Sequence, residues 1–303
     1  MQSSHTAVYR QNSIWRMIIT ACGLLMIIIT LAIGAFLCYK GAGTFTTYGH
    51  SVGEFLFSSQ WAPADNAQGG GKAGAAIFIF GSIITCALAL LIATPFSIAS
   101  AIFMTEISPG IGRKILQPAV EIFVGIPSVV YGWIGLTILV PFIKDLFDLK
   151  IGFSVLAAGI VLAVMIYPTI TSLSSDAIRS IPKSFRQASY GLGATRWQTI
   201  SKVVLPASKS GLMTAIVLGL ARAFGEALAV AMVIGKMKAF PESLLSPTTN
   251  LTSAIAADMG GAMEGSEYNI ALWSMALLLF IISLIFIFVI HYISAKGGHK
   301  AWQ

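Results

Sequence analysis

Six long runs of almost uncharged residues constrain this chain more than any other feature. Five contain no Asp, Glu, Lys or Arg, and the sixth is interrupted only by Arg222 and Glu226. Each run is long enough for the ~20 residues that cross a bilayer as a helix. We therefore predict an all-α, polytopic membrane protein with about six transmembrane helices. The runs are residues 17–39, 73–105, 122–143, 151–175, 210–235 and 268–295.

The distribution of basic residues predicts the orientation of these helices. The chain carries a formal charge of +7, although only 10% of its residues are charged, against roughly 25% in a soluble domain. With both termini in the cytoplasm, twelve Lys and Arg residues fall in inside segments and six in outside loops. This bias follows the positive-inside rule. Membrane topology therefore accounts for the basic character without a nucleic-acid partner, and we predict a multi-pass protein of the cytoplasmic (inner) membrane.

The helices divide the chain into two predicted parts. Residues 1–72 hold the N-terminal segment, the first transmembrane helix and an extracytoplasmic loop at 40–72, which is polar and rich in glycine. The first apolar run is too long for a signal-peptide core and lacks a small-residue cleavage pattern, so it reads as a retained helix. Residues 73–303 form the transmembrane domain, which includes a long cytoplasmic segment at 176–209 that we call the arm.

The sequence offers no candidate catalytic or metal site. Cysteines and histidines are scattered without metal-ligand spacing, so we predict no metal and no cofactor. The pair Gly71 and Lys72 resembles the end of a phosphate-binding loop, but Ala73 stands where that motif needs Ser or Thr. We therefore predict a transport subunit and no enzyme. Its energy source must be a partner protein or an ion gradient.

The arm has the pattern of two short helices. Two glycines close together, the second of them Gly193, predict the end of the first helix. Thr195 with Gln198 forms a capping box that predicts the start of the second helix. Pro206 is expected to end the second helix. An apolar face exposed in the cytoplasm would need a binding partner. The residues at helical spacing on that face are Ile181, Phe185, Ala188 and Leu192.

The third run opens with glycine and proline close together, in the sequence Gly125 to Gly132 around Pro127 and Ser128. Such a combination can interrupt a helix, and the freed backbone groups must then face protein or a cavity, because lipid cannot satisfy them. A simple proline kink explains the pattern equally well. Pro127 and Ser128 are therefore candidate residues of a substrate pathway.

The fifth run carries the two interrupting charges. On a continuous helix, Arg222 and Glu226 would share one face about one turn apart, and the carboxylate would orient the guanidinium. Ionisable groups within a span usually mark a substrate or ion pathway, although a purely structural ion pair is the alternative. A guanidinium suits an oxyanion, because its planar fork donates two hydrogen bonds.

Small residues recur every fourth position along the fifth run, which favours close approach of another helix. They are Gly211, Ala215, Gly219, Ala223, Ala227, Ala231 and Gly235.

The arm resembles the EAA coupling motif of binding-protein-dependent ABC permeases. The matching positions are Gln187, Ala188, Ser189, Gly193, Leu205 and Pro206. Gln187 replaces the usual glutamate and Ser189 replaces an alanine. The resemblance implies the MetI-like permease fold, and a helix-in-groove contact between the arm and a separate ATPase subunit.

Segments 125–132 and 221–235 are similar to phosphate-uptake permeases, and to the PstC-type subunit in particular. This resemblance implies phosphate as cargo, a PstA-type second permease, two cytoplasmic ATP-binding subunits and an extracytoplasmic phosphate-binding protein. Two alternatives stay open. The cargo could be another oxyanion such as molybdate, sulfate or a phosphonate, or the chain could be a proton-coupled secondary transporter that uses Glu226.

Overall fold

A computed structural model describes the backbone of residues 2–300 and the side chains of residues 15–293. Six helices in this part of the chain are long and apolar enough to cross a membrane. The predicted number of spans and the all-α class are confirmed. Arg10, Lys296 and Lys300, which contribute to the predicted charge bias, lie outside the residues with described side chains. The first to sixth spans are Trp15–Thr46, Ala76–Ile107, Ser128–Leu146, Val155–Arg179, Arg196–Gly225 and Glu267–Ile293.

Several spans are divided into shorter helical segments, and further short helices lie between the spans. The α-helices are α1 (Gln2–Gly41), α2 (Gly43–Thr46), α3 (Val52–Phe57), α4 (Ala76–Ile102), α5 (Pro109–Ile111), α6 (Gln117–Gly125), α7 (Ser128–Ile134), α8 (Val140–Leu146), α9 (Val155–Arg179), α10 (Lys183–Gly191), α11 (Arg196–Thr199), α12 (Leu205–Gly225), α13 (Leu228–Ala231), α14 (Leu251–Asp258) and α15 (Glu267–Lys300). The π-helical turns are Phe103–Ile107, Gly112–Leu116, Gly135–Leu139 and Ile200–Val204. Two short antiparallel strands, β1 (Trp61–Ala62) and β2 (Lys72–Ala73), pair with each other.

The fourth span forms the centre of the bundle. Helix α9 packs against both α4 and α12, and its inward residues belong to the largest apolar cluster of the molecule. Leu162, Ile166 and Ile170 are completely buried there. Because α9 is covered on most sides by protein, its position fixes the relative placement of the second and fifth spans.

Small residues bring α12 close to α9, as the four-residue repeat predicts. A Cβ added to Gly211 would lie 2.6 Å from Cβ of Ala177, and one added to Gly219 would lie 2.5 Å from Cγ1 of Ile170. Ala215 is also fully buried. The predicted repeat is confirmed only as far as Ala223, because α12 ends at Gly225 and the remaining three positions are not on this helix.

The first and sixth spans pack against each other at the edge of the bundle. Gly34 meets the ring of Phe280, and Gly41 meets Leu277. The buried hydroxyls of Thr44 and Ser274 are joined by a hydrogen bond of 2.6 Å. This contact places the N-terminal part of the chain beside α15.

The segment 43–73, which we call the cap, folds around one carboxylate. Glu267, at the start of α15, is 1% exposed. Its carboxylate accepts hydrogen bonds from the backbone N–H groups of Ala64 (2.7 Å) and Gly71 (2.8 Å) and contacts Nε2 of His50 at 2.6 Å. The predicted linker between the first two spans is therefore an ordered structure attached to the sixth.

Candidate functional site

The first interruption lies between α6 and α7. Helix α6 ends at Gly125, Ile126 and Pro127 are extended, and α7 begins at Ser128. Of the two alternatives for this sequence, a broken helix is confirmed and a simple kink is wrong. The Tyr131 hydroxyl donates a 2.8 Å hydrogen bond to the carbonyl of Phe123, which also accepts a 3.4 Å bond from the N–H of Ile126, and this ties α7 to the end of α6 across the break.

A second interruption follows α12 and corrects the prediction of a continuous fifth helix through residue 235. Glu226 is extended, and its carboxylate accepts a 3.1 Å hydrogen bond from the N–H of Ala229. The Glu226 carbonyl accepts a 2.6 Å hydrogen bond from the Thr252 hydroxyl of α14. The carboxylate of Glu226 thus accepts a hydrogen bond from the first turn of the next short helix, α13.

Arg222 consequently does not form the predicted pair with Glu226. The helix ends between them, and among the residues with described side chains no carboxylate lies within salt-bridge distance of the guanidinium. Nη1 of Arg222 instead donates a 3.0 Å hydrogen bond to Oγ1 of Thr169 in the fourth span. Most guanidinium donors are therefore available to a ligand.

The two interrupted segments meet on the side of the bundle that holds a cavity. A Cβ added to Gly132 of α7 would lie 2.8 Å from Cα of Ala229 in α13, so the two short helices touch. The adjoining concave space is about 580 Å³ and largely apolar. Pro127 and Ser128 precede α7, and Glu226 precedes α13. The residues that line the cavity are Val129, Leu136, Phe153, Leu228, Ala231, Met232, Gly235 and Lys236.

The arm has the predicted helix, turn and second helix. Helix α10 ends at Gly191, Gly193 has a φ of +79°, and Thr195 and Gln198 form the predicted capping box. Ser189 is buried, and its hydroxyl lies 2.9 Å from that of Thr199. This hydrogen bond joins α10 to α11 on the inner face of the arm.

The outer face of the arm is apolar and uncovered. Gln187 and Ala188 are exposed, and Leu192 at the turn is 89% exposed. A large apolar side chain such as that of Leu192 is costly to leave in water unless a partner covers it. The other exposed large apolar or aromatic residues of the arm are Phe185, Tyr190 and Trp197.

The prediction that Pro206 ends the second arm helix is wrong. The fifth span runs on from Arg196 to Gly225, and Pro206 is the second residue of α12, which follows the π-helical turn Ile200–Val204. The extra residue in that turn changes the hydrogen-bond pattern at a place where proline offers no N–H. Pro206 is exposed, whereas Leu205 packs against the apolar cluster of the neighbouring spans.

Sequence reasoning missed three residues that organise these regions. Thr169 binds Arg222, Thr252 fixes the second break, and Glu106 at the end of the second span forms an ion pair with Arg186 of the arm. Each partner is distant in the chain, and a Thr in an apolar run gives no signal of its own. Glu106 was identifiable as an acid at the end of a span, but its partner was not.

Interrupted helices beside a cavity, together with an arginine near the end of a spanning helix, are typical of a membrane permease. The chain belongs to the family of binding-protein-dependent transport system inner membrane components, which matches residues 93–297. It is thus an ABC importer permease, a transport subunit, and the gradient-driven alternative falls outside this family.

Two relatives cover most of the chain. The "Probable ABC transporter permease protein YqgH" of Bacillus subtilis (strain 168) is 54% identical over 281 residues, which cover 93% of this chain and 90% of the relative. The "Phosphate transport system permease protein PstC" of Pasteurella multocida (strain Pm70) is 38% identical over 280 residues, covering 85% of this chain and 84% of the relative.

A solved structure agrees in fold. The inward-facing MetNI methionine ABC transporter has a chain that superposes with a TM-score of 0.54 at 22% identity, over 73% of this chain and 96% of that one. At this identity the likeness concerns the fold alone, and it confirms the MetI-like architecture.

Proposed function

We propose that the chain is one of two permease subunits of an ATP-driven importer of phosphate. In this proposal it pairs with a PstA-type permease, two cytoplasmic ATP-binding subunits and an extracytoplasmic phosphate-binding protein. Both termini and the arm lie in the cytoplasm, while the cap and residues 236–267 face the binding protein.

The observation that carries the proposal is that Arg222 has a neutral hydrogen-bond partner and no carboxylate partner among the described side chains. Its guanidinium lies three residues before the end of α12 and makes a hydrogen bond with the neutral hydroxyl of Thr169. A neutral partner leaves the positive charge uncompensated, which is costly within a span unless the charge serves an anion or a pathway. An oxyanion can accept two parallel hydrogen bonds from such a fork. Pro127, Ser128 and Glu226 flank the same pathway at the two breaks.

Phosphate is favoured among oxyanions by the PstC relatives. The Pasteurella protein carries phosphate transport in its name, while the name of the Bacillus relative is neutral about cargo. A guanidinium and a hydroxyl can also bind molybdate, sulfate or a phosphonate, because all these anions present oxygens at similar spacing. These anions are therefore the competitors in the test.

Uptake of labelled phosphate by cells that lack other phosphate importers tests this proposal. Changing Arg222 to Gln should abolish uptake while insertion and assembly stay intact, since a neutral amide is cheaper to bury than a charge. Lys should restore uptake only in part, because an ammonium lacks the planar fork. Arg113→Gln, at an exposed cytoplasmic arginine, is the matched control and should transport normally.

Competition separates the cargo from the class of transporter. Excess unlabelled phosphate should suppress uptake, whereas molybdate, sulfate and phosphonates should not. Suppression by one of these anions at lower concentration than phosphate would reassign the cargo. Wild-type uptake in the Arg222→Gln variant would refute a direct role for this arginine.

The arm is proposed as the contact for the ATPase. Its exposed outer face, with Gln187, Ala188 and Leu192, supports docking into a groove of the ATPase. Ser189, Gly193, Leu205 and Pro206 shape the turn and the entry to the fifth span instead of meeting the partner directly. Changing Leu192 to Ser should therefore release the ATPase during purification without unfolding the permease. Undiminished retention of the ATPase would contradict this assignment.

A further inference from the structure

An acidic residue at the cytoplasmic end of the second span holds the inner side of the arm. Glu106 lies in the π-helical turn Phe103–Ile107, and its carboxylate forms an ion pair with Arg186 of α10. Nε of Arg186 donates to Oε1 at 3.0 Å and to Oε2 at 3.3 Å. The side chains are 9% and 18% exposed. Such a pair is well shielded from water, unlike the exposed charges elsewhere on this face.

The remaining donors of Arg186 reach a third element. Nη1 donates to the carbonyl of Ile181 at 2.7 Å, and Nη2 donates to the carbonyl of Ile178 at 3.0 Å. Both carbonyls belong to the cytoplasmic end of the fourth span and the residues just after it. One guanidinium thus joins the second span, the fourth span and the arm.

A second arginine approaches the same acid from the fifth span. Arg196, at the start of α11, donates to the carbonyl of Glu106 and, at 2.7 Å, to the carbonyl of Ile107. The end of the second span is consequently held by both halves of the arm. Arg186 holds its side chain, and Arg196 holds its backbone.

An apolar cluster lies among the same elements. It contains Ala101 and Ile102 from the second span, Ile178 from the fourth, and residues of the fifth. Because these side chains are close-packed, the three span ends cannot easily move separately. The fifth-span members of the cluster are Ile200, Val204 and Leu212.

We infer that Glu106, clamped by Arg186, is the joint through which movement of the arm is transmitted to the second, fourth and fifth spans. This inference rests on the proposed function of the arm. Glu106 is a positioning residue on the face opposite the exposed apolar side chains, so it is not part of the docking surface. From Arg196 the fifth span continues to Arg222, about 40 Å along a helix. It therefore links the ion pair of Glu106 and Arg186, which we call the clamp, to the proposed pathway.

The measured quantity is phosphate taken up per ATP hydrolysed, in proteoliposomes that contain the chain with its partner permease, ATPase subunits and binding protein. Glu106→Gln should keep the ATPase subunits bound and ATP hydrolysis active, while uptake per ATP falls about five-fold, within the range found for residues that carry coupling. Glu121→Gln is the matched control, since Glu121 is exposed on α6 and bonds only to Gln117 among the described side chains. It should keep the wild-type ratio.

Two further variants make the outcome independent of one substitution. Arg186→Lys should give an intermediate ratio, because an ammonium cannot hold the carboxylate and two carbonyls in the same fork geometry. The double variant Glu106→Gln with Arg186→Gln should be no worse than Arg186→Gln alone, because both changes break one joint. If Glu106→Gln fails to assemble, the ratio in Arg186→Lys decides the question.

Three results would overturn the inference. A wild-type ratio in Glu106→Gln or Arg186→Lys would show that the clamp transmits nothing. Loss of the ATPase from an assembled Glu106→Gln permease would show that the clamp shapes the docking face only. Losses that multiply in the double variant would show two separate roles. If even the wild-type chain retains no ATPase, the proposed function itself fails, and this inference with it.

Discussion

The cap and the arm are both connections between spans, but the cap is held by contacts within the chain, whereas the arm has an uncovered face. In the cap, the chain closes around the carboxylate of Glu267, which is 1% exposed and has three hydrogen-bonding partners. In the arm, the inner face is held by Arg186, whereas Leu192 on the outer face is 89% exposed. The cap and Glu267 form hydrogen bonds with each other, and of the described buried polar side-chain atoms in the cap only Nε1 of Trp61 has no partner. The arm leaves large apolar side chains exposed.

The two regions should therefore respond differently to substitution. A segment held by hydrogen bonds to a buried carboxylate resists change, because each lost partner leaves a desolvated group behind. A segment with an uncovered face tolerates change in the isolated chain, but loses a partner. Substitutions in the cap should therefore reduce stability, and substitutions on the outer face of the arm should reduce assembly.

The largest expected effect is at the centre of the cap. Glu267→Gln removes the negative charge that strengthens its hydrogen bonds with two backbone N–H groups and His50, so it should destabilise the chain by about 3 kcal/mol, as loss of a buried charged partner does. Thermal unfolding in detergent measures the change. Glu264→Gln, three residues earlier on an exposed turn, should have almost no effect. Equal unfolding temperatures for both variants would show that the cap does not depend on Glu267.

A smaller effect is expected at the turn of the arm. Gly193 has a φ of +79°, and a side chain there costs about 1–2 kcal/mol even though nothing obstructs a Cβ. Gly193→Val should deform the turn and lower phosphate uptake per ATP hydrolysed. Gly191→Val, on the helical side of the turn, has equal space for a Cβ and should preserve the fold. Identical coupling in Gly193→Val and wild type would exclude the turn from energy transfer.

The smallest effect concerns a charge pair outside the membrane. Partial burial lowers the pKa of Lys238, but hydrogen bonds to Asp258 and Tyr268 outweigh it, so the pKa is raised above its ordinary value. The pair is partly exposed and should contribute less than about 1 kcal/mol. Because a raised pKa favours the charged folded form, this contribution is constant below about pH 10 and is lost as pH rises through the folded pKa.

Thermal unfolding of Lys238→Gln and of wild type at several pH values tests the charge pair. The difference between them should stay constant from about pH 7 to 9 and shrink at higher pH. Lys150→Gln, at an exposed lysine of the loop between α8 and α9, should match wild type throughout. A difference that grows with pH would contradict the assigned sign.

Much of the fold was predictable because lipid imposes simple rules. Long uncharged runs predicted six spans, and Thr195 with Gln198 predicted the start of α11. Gly125 to Pro127 indicated either a broken helix or a simple kink, and the structure has the broken helix. These features depend on neighbours in the sequence.

The errors arose where a distant residue changes the outcome. The four-residue repeat from Gly211 suggested one continuous helix, but Thr252 from another element holds the backbone at Glu226 and the helix ends there. The pairing of Arg222 with Thr169 was equally hidden, because a hydroxyl in an apolar run gives no pattern. The clamp at Glu106 needs elements that only the tertiary fold brings together.

We propose that a cytoplasmic partner covers the arm, whereas the cap lies outside and is held by contacts within the chain. Single cysteines at Leu192 and Phe57, both highly exposed, test it in a chain without Cys22, Cys38 and Cys86. An impermeant thiol reagent should label position 57 in intact cells and position 192 only in inside-out vesicles. Adding the ATPase subunits should protect position 192 and leave position 57 unchanged. Labelling of position 192 from outside, or labelling that the ATPase does not alter, would contradict the account.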